Sequence, residues 1–155
     1  IESFKGYPIK LLTIHLSGGS SMIKSALVSS KSINAKCIGV SILTSLNEEE
    51  SKEVYNQEIP KTVTSMFNLA NESEIDGVVC SPHELKLARD LLQDKIKITP
   101  GIRLSDSNSD DQSRVMNPKE AIDLGATYLV IGRPITSHKD KASAFEKIYQ
   151  SIYEK

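Results

Sequence analysis

Two arginines follow strand-like apolar runs, and each has a glycine close by. The run YLVI ends at Gly132 and Arg133, and the run IKIT ends in PGIR, from Pro100 to Arg103. A phosphate group accepts hydrogen bonds from guanidinium groups and from backbone N–H groups that a ligand can approach closely. A single arginine after a strand is more often part of a surface salt bridge, but two in this setting favour an anion held between two strand ends.

Other strand-like runs also end in polar or glycine-rich steps. Thr44 follows KCIGVSIL, Ser81 follows DGVVC, and KLLTIHL contains His15 and runs into Gly18-Gly19. Each has an ordinary structural explanation as well. Ser81 is equally well explained as a helix N-cap, His15 as a structural histidine, and the glycine pair as a tight turn.

Five short runs rich in branched aliphatic residues alternate with longer stretches of helical period, which predicts βα units around a parallel sheet. In such sheets, the loops after the carboxyl ends of the strands meet on one face, where ligands bind. The polar steps should therefore converge. The predicted strands are Lys10–Leu16, Lys36–Leu43, Asp76–Cys80, Ile96–Thr99 and Tyr128–Ile131.

Capping residues and apolar stripes place the helices. Ser81-Pro82-His83-Glu84 and Asn117-Pro118-Lys119-Glu120 each combine a capping residue, a proline and a glutamate three residues after the cap. Three further helices are predicted, one after Ser20, one over Pro60–Asn71, and a closing amphipathic helix over Ala142–Tyr153 with Phe145, Ile148 and Ile152 on one face.

Composition limits the classes of function. The chain has 155 residues, of which 39% are hydrophobic, so we expect residues 1–155 to form one domain. Its formal net charge of −1 gives no overall positive electrostatic potential that would attract nucleic acid or an anionic membrane. Cys37 and Cys80 lie in apolar runs and lack metal-ligand spacing, which favours buried thiols in the reducing cytoplasm. No apolar run is long enough to span a membrane, and no secretory leader is recognisable.

The most polar stretch, LSDSNSDDQSR at 104–114, follows Arg103 directly. It has no apolar residue after Leu104 and cannot pack into a core, so it is predicted to be a mobile surface loop. Its position beside the predicted anion site makes it a candidate lid.

Several of these segments, in order, resemble the C-terminal portion of bacterial orotidine 5′-phosphate decarboxylases, the last enzymes of UMP synthesis. The resemblance covers nearly the whole chain. It implies a cytoplasmic enzyme with a (β/α)8 barrel fold, of which this chain supplies strands 4 to 8. Such enzymes are usually homodimers and use no metal or organic cofactor. The matching segments are IHLSGGSSM, SILTS, DGVVCSPHE, TPGIR, DDQSRVMNPKEAIDLGA and YLVIGRPIT.

The resemblance also implies roles for individual residues. Thr44 matches a ligand-contacting threonine, Ser81 a serine that contacts the pyrimidine ring, and Pro100 to Arg103 the floor beneath the loop that closes over the ligand. The implied phosphate ligands are Arg103, Gln112, Gly132 and Arg133.

One departure from the family pattern concerns the chemistry. The family's Asp-x-Lys-x-x-Asp motif does not occur in this chain, which has no initiator methionine and starts just downstream of where the motif would fall. No catalytic residue is therefore assigned. We expect decarboxylation of orotidine 5′-phosphate to UMP in a protein that includes the upstream strands. The alternatives are a non-catalytic nucleotide-binding fragment and another sugar-phosphate decarboxylase of the same barrel superfamily.

Overall fold

A computed structural model describes residues 1–104 and 116–153. Within them, five parallel strands form one sheet, and strands that are adjacent in sequence are also neighbours in the sheet. Parallel strands joined in this way need a crossover connection between each pair. The strands are β1 (Leu11–His15), β2 (Lys36–Val40), β3 (Gly77–Val79), β4 (Ile96–Thr99) and β5 (Tyr128–Leu129).

Helices occupy most of the connections. Short 3-10 turns at Glu2–Phe4, Leu16–Gly18 and Pro82–Glu84 accompany them. The α-helices are α1 (Gly19–Ser32), α2 (Glu48–Tyr55), α3 (Ile59–Glu72), α4 (Leu85–Leu91), α5 (Pro118–Asp123), α6 (Arg133–Thr136) and α7 (Lys141–Tyr153).

The apolar core lies between the sheet and these helices. Cys37 and Val78 point from neighbouring strands toward the helices, where they join a buried cluster that includes Phe67 of α3 and Leu85 of α4. Side chains alternate along a strand, so the other face carries Ile38, which is also fully buried. Both faces are therefore apolar at the centre of the sheet, as in parallel sheets that are covered on both sides.

The five predicted strands are confirmed, although four are two or three residues shorter than predicted. The predicted helices are present, and the Asn117 side chain accepts a hydrogen bond from the Glu120 backbone N–H at 2.8 Å. Two helices were not predicted. Helix α2 has a capping box between Asn47 and Glu50, a signal present in the sequence, whereas α6 is a single turn that begins directly at Arg133.

The face predicted for the last helix is confirmed, because Phe145, Ile148 and Ile152 all line one apolar groove beside β5. The buried residues of α7 are Ala144 and Ile148, whereas Phe145 is 55% exposed although it lines the groove.

Gly77 brings β3 and β4 into close contact, which gives a stability prediction. A Cβ atom at this position would lie 2.4 Å from the Ile96 carbonyl oxygen, a backbone atom that cannot rotate away. We expect Gly77→Ala to lower the free energy of unfolding by about 1–3 kcal/mol through overpacking. Urea titration measures the change. Gly132→Ala is the matched control, because no atom lies within 4 Å of its added Cβ, and equal losses for the two variants would contradict the steric explanation.

Candidate functional site

Hydrogen bonds between neighbouring strands hold together the edge of the sheet that is formed by the carboxyl ends of the strands. The Ser41 N–H and hydroxyl both donate to the Val79 carbonyl, at 3.1 and 3.0 Å, and connect the end of β2 to β3. The Cys80 N–H donates to the Ile98 carbonyl at 3.1 Å, and the Val130 N–H donates to the Thr99 carbonyl at 2.9 Å. The segments after β2, β3, β4 and β5 therefore leave the sheet side by side, as predicted for the ends of parallel strands.

Arg103 lies inward rather than on the surface. Arg103 is 8% exposed, and its Nη1 group donates a hydrogen bond to the Ile102 carbonyl at 2.8 Å. A guanidinium group has five N–H donors and stays charged in proteins, so the one neutral carbonyl that it contacts among the described residues satisfies only part of its capacity. A buried cation in this position is suited to an anionic partner.

A short bridge fixes the backbone around Arg103. Its N–H donates to the Met116 carbonyl at 3.0 Å, and the Met116 N–H donates to the Gly101 carbonyl at 3.2 Å. Gly101 has a φ of 78°, in the left-handed region that favours glycine. These contacts hold together the two described ends that flank residues 105–115. Gln112 and most of the predicted lid lie outside the described residues, and their roles stay predictions.

Gly132 and Arg133 follow β5 at the same edge. The Gly132 carbonyl accepts hydrogen bonds from the Ile135 and Thr136 N–H groups at 2.9 and 3.0 Å, so the start of α6 is held in place. The space where a Cβ of Gly132 would lie is open, and both Gly132 and Arg133 are exposed. A ligand can therefore approach this stretch of backbone closely.

Ser81 is fully buried two residues after the end of β3. The Glu84 carboxylate accepts a hydrogen bond from the Ser81 N–H at 2.9 Å, and the Glu84 N–H donates to the Ser81 carbonyl at 3.0 Å. The Ser81 hydroxyl faces the Glu84 N–H in a capping-box arrangement, but it makes no hydrogen bond of good geometry to any described residue. The capping explanation thus accounts well for the backbone of Ser81 and poorly for its hydroxyl, since a buried polar atom without a good hydrogen bond costs free energy.

This difference gives a test of Ser81. If the hydroxyl is reserved for a ligand, Ser81→Ala leaves the unfolding free energy of the ligand-free protein within about 0.5 kcal/mol or raises it, because a lone buried hydroxyl is removed. A hydrogen-bonded cap would instead cost about 1 kcal/mol. Asn117→Ala, which removes a side-chain cap seen in the structure, is the positive control. A loss at Ser81 as large as that at Asn117 would exclude the ligand role.

Thr99, which sequence reasoning did not single out, has a similar environment. It ends β4, is fully buried, and has only the weakly polar Cys80 thiol beside its hydroxyl, with no oxygen or nitrogen partner in the described part of the chain. Thr99 directly precedes Pro100 at the end of a predicted strand, and this position in the sequence could have identified it as a candidate site residue. Thr44 lies half-buried in the turn after β2, and Pro100 is half-buried at the end of β4.

The two thiols are free and buried, as predicted. Burial is the main cause that raises the pKa of both, that of Cys80 to about 12, with the nearby Glu84 carboxylate adding to it. Neither is a nucleophile at neutral pH. In the described ranges no cluster of three or more histidine, cysteine or acidic residues could hold a metal ion, and no helix is long and apolar enough to cross a membrane.

Residues 3–148 match the profile of the Orotidine 5'-phosphate decarboxylase / HUMPS family. The chain belongs to this family. An orotidine 5'-phosphate decarboxylase from Wolbachia pipientis is 41% identical over 154 residues, which cover 98% of this chain and 68% of that protein. The corresponding protein of Coxiella burnetii is 43% identical over 148 residues, 92% of this chain and 63% of that protein.

A solved decarboxylase extends the likeness to the fold. The crystal structure of orotidine 5'-phosphate decarboxylase from Lactobacillus acidophilus matches with a TM-score of 0.77 and 31% identity, over 94% of this chain and 64% of that one. The predicted fold, five consecutive strands of a (β/α)8 barrel with their helices, is confirmed. The chain thus spans between 62% and 68% of the length of its decarboxylase relatives.

Proposed function

We propose that residues 1–155 form the part of an orotidine 5′-phosphate decarboxylase that binds the phosphate and the pyrimidine of the substrate. Membership of the family carries this proposal. The edge of the sheet supports it, because a buried guanidinium, an exposed one and an open stretch of backbone follow two adjacent strands. A phosphate dianion is complementary to all three groups.

The proposed roles are those that the family resemblance implies for these residues. Arg103 and Arg133 donate to the phosphate oxygens, and Gly132 lets the phosphate approach the backbone. Gln112 donates to the same group from the loop after β4. Ser81 donates its hydroxyl to the pyrimidine ring. Thr44 contacts the ligand from the end of β2, and Pro100 positions the turn that leads to Arg103.

These residues would assist a reaction whose bond-breaking occurs elsewhere in the site. The bond from the pyrimidine ring to the carboxylate breaks, carbon dioxide leaves, and the electron pair remains on the ring carbon until a proton is added. The family resemblance assigns that proton to a lysine ammonium of the Asp-x-Lys-x-x-Asp motif, which residues 1–155 do not contain. Binding of the distant phosphate can favour closure and water exclusion, and so raises the rate of the chemical step.

We further propose that the complete protein is a cytoplasmic homodimer that uses no metal or organic cofactor. The two free, buried thiols are in keeping with a reducing compartment. The dimer follows from the family resemblance alone, and light scattering of the complete protein would test it. The buried cluster that extends from Leu16 to Ala126 supports a single domain over residues 1–155.

Release of carbon dioxide from orotidine 5′-phosphate tests the proposed activity. The 155-residue chain alone should release none, and the chain joined to the third of a relative that it does not span should release it without added metal. Isothermal titration with UMP separates binding from chemistry. Activity of the chain alone would refute the assignment of catalysis to the missing motif. Preference of the completed protein for a sugar phosphate over orotidine 5′-phosphate would favour a different decarboxylase of the superfamily.

A further inference from the structure

His15 ends β1, at the edge of the sheet that is formed by the carboxyl ends of the strands. Side chains alternate along a strand, and Ile14 packs against the core between the sheet and the helices. His15 and Thr13 therefore point to the other face of the sheet, which also carries Ile38, the partner of Thr13 in the register. Both side chains are exposed there, so the imidazole of His15 can be reached by a ligand.

A row of side chains on this face leads from His15 toward Ser81. The register pairs His15 with Val40 and Val40 with Val79, and residues paired in this way point to the same face. Cys80 joins the core on the helix side, and Ser81 follows it in extended backbone with φ −66° and ψ 158°, so its side chain returns to the face of Val79. His15 and Ser81 are thus polar groups on one face, two strand spacings or about 10 Å apart.

The described chain offers the imidazole of His15 no partner. A histidine ring has at least one N–H donor in either protonation state. Within residues 1–104 and 116–153, the His15 ring makes no hydrogen bond or ion pair. Its neighbours in the row are valines, which have no polar side-chain atom. The N–H donor is therefore available to an acceptor on a ligand or on another part of the complete protein.

The order of polar groups along this edge indicates which part of the substrate reaches His15. Arg103 and Arg133 follow β4 and β5, Ser81 follows β3, and His15 ends β1, at the opposite side of the sheet from β5. A nucleotide with its phosphate at the two arginines and its pyrimidine at Ser81 therefore turns the pyrimidine end toward His15. The carboxylate that leaves as carbon dioxide is attached to this ring, and a carboxylate accepts the stronger, charge-assisted type of hydrogen bond.

We propose that His15 donates a hydrogen bond to a carboxylate at the reacting end of the substrate site. The inference rests on the proposed decarboxylase function. Two carboxylates have this chemistry, that of orotidine 5′-phosphate and that of an aspartate in the upstream Asp-x-Lys-x-x-Asp motif. Strands adjacent in sequence are neighbours in this sheet, so a motif that ends the strand before β1 lies beside His15. His15 binds the substrate in the first case and positions a motif side chain in the second.

Steady-state kinetics of the completed protein test the proposal. His15→Leu removes the donor, whereas His15→Gln retains a side-chain N–H group. We expect kcat/KM for orotidine 5′-phosphate to fall about tenfold or more in His15→Leu and to stay within about threefold of the parent in His15→Gln. Binding of UMP, which has no carboxylate, should change by less than about twofold in both. The matched control is His83→Leu, because His83 is also exposed but lines a groove beside α2 and α3, and it should change none of these values.

The two sources of the carboxylate give different kinetics. Loss of a contact with the bound substrate raises KM with little change in kcat, whereas a misplaced motif aspartate lowers kcat at nearly constant KM. Either pattern supports the proposal. If His15→Leu does not fold, His15→Ala takes its place. A change below about twofold in kcat/KM, a glutamine variant as impaired as the leucine variant, or an equal loss of UMP binding would overturn it.

The parent protein separates this inference from the proposed function. Decarboxylation by the unsubstituted completed protein, with unchanged kinetics in His15→Leu, would overturn the role of His15 and leave the proposed function standing. No decarboxylation by the unsubstituted protein would refute the proposed function and with it this inference.

Discussion

Replacing Arg133 with alanine is expected to weaken binding of UMP to the completed protein by about 10- to 100-fold or more, since each charge-assisted hydrogen bond contributes about 1.5–3 kcal/mol. Binding of uridine should change by less than about twofold, because uridine lacks the group that the guanidinium contacts. Arg133 begins α6 at the edge formed by the carboxyl ends of the strands, next to Gly132. Isothermal titration with both ligands measures the difference.

The matched control is Arg89→Ala. Arg89 is another exposed arginine, on α4, and its nearest carboxylate is that of Asp90 at 3.9 Å. It lies outside the four strand ends, so its removal should affect neither ligand. Equal losses for UMP and uridine in the Arg133 variant would contradict a phosphate role and would point to a general distortion of the loop.

The positions of the strand ends could be predicted from the sequence to within three residues because they depend on local signals. Short aliphatic runs define the strands, and a parallel order places all of their carboxyl ends together. Ser81 and Arg133 are adjacent to such ends, and the structure locates both at the same edge of the sheet. Family motifs around these positions reinforced the same interpretation.

The orientation of individual side chains could not be predicted in this way. Ser81 carries a capping sequence, but in the described chain its hydroxyl makes no hydrogen bond of good geometry to the Glu84 N–H, which donates to the Ser81 carbonyl in a 3-10 turn. The sequence predicts an anion-binding role for Arg103 but not its burial, which tertiary packing determines. Both outcomes depend on how the turn after a strand packs against the rest of the protein. Hydrophobic periodicity and secondary-structure propensity do not determine that packing.

Arg103→Ala should have two effects, of which Arg133→Ala has only one. Binding of UMP should weaken by about 10- to 100-fold or more, for the same reason as at Arg133. The free energy of unfolding should also fall by about 1–3 kcal/mol, because a buried, hydrogen-bonded side chain is removed. For exposed Arg133 we expect a change below about 1 kcal/mol. Urea titration without ligand gives the stability, and an unchanged value for Arg103→Ala would contradict the inward packing.

A double-mutant cycle then shows whether the two arginines bind one group. If both guanidinium groups contact the same phosphate, loss of one lets the phosphate shift and hydrate, so that the second contributes less. The double variant should then lose less UMP affinity than the two single losses added together, with a coupling of about 1 kcal/mol or more. The cycle of Arg133 with Arg89 should be additive within about 0.5 kcal/mol. Additivity in the Arg103–Arg133 cycle would mean that the two side chains act on UMP independently, and the shared phosphate site would be wrong even if each single variant binds UMP poorly.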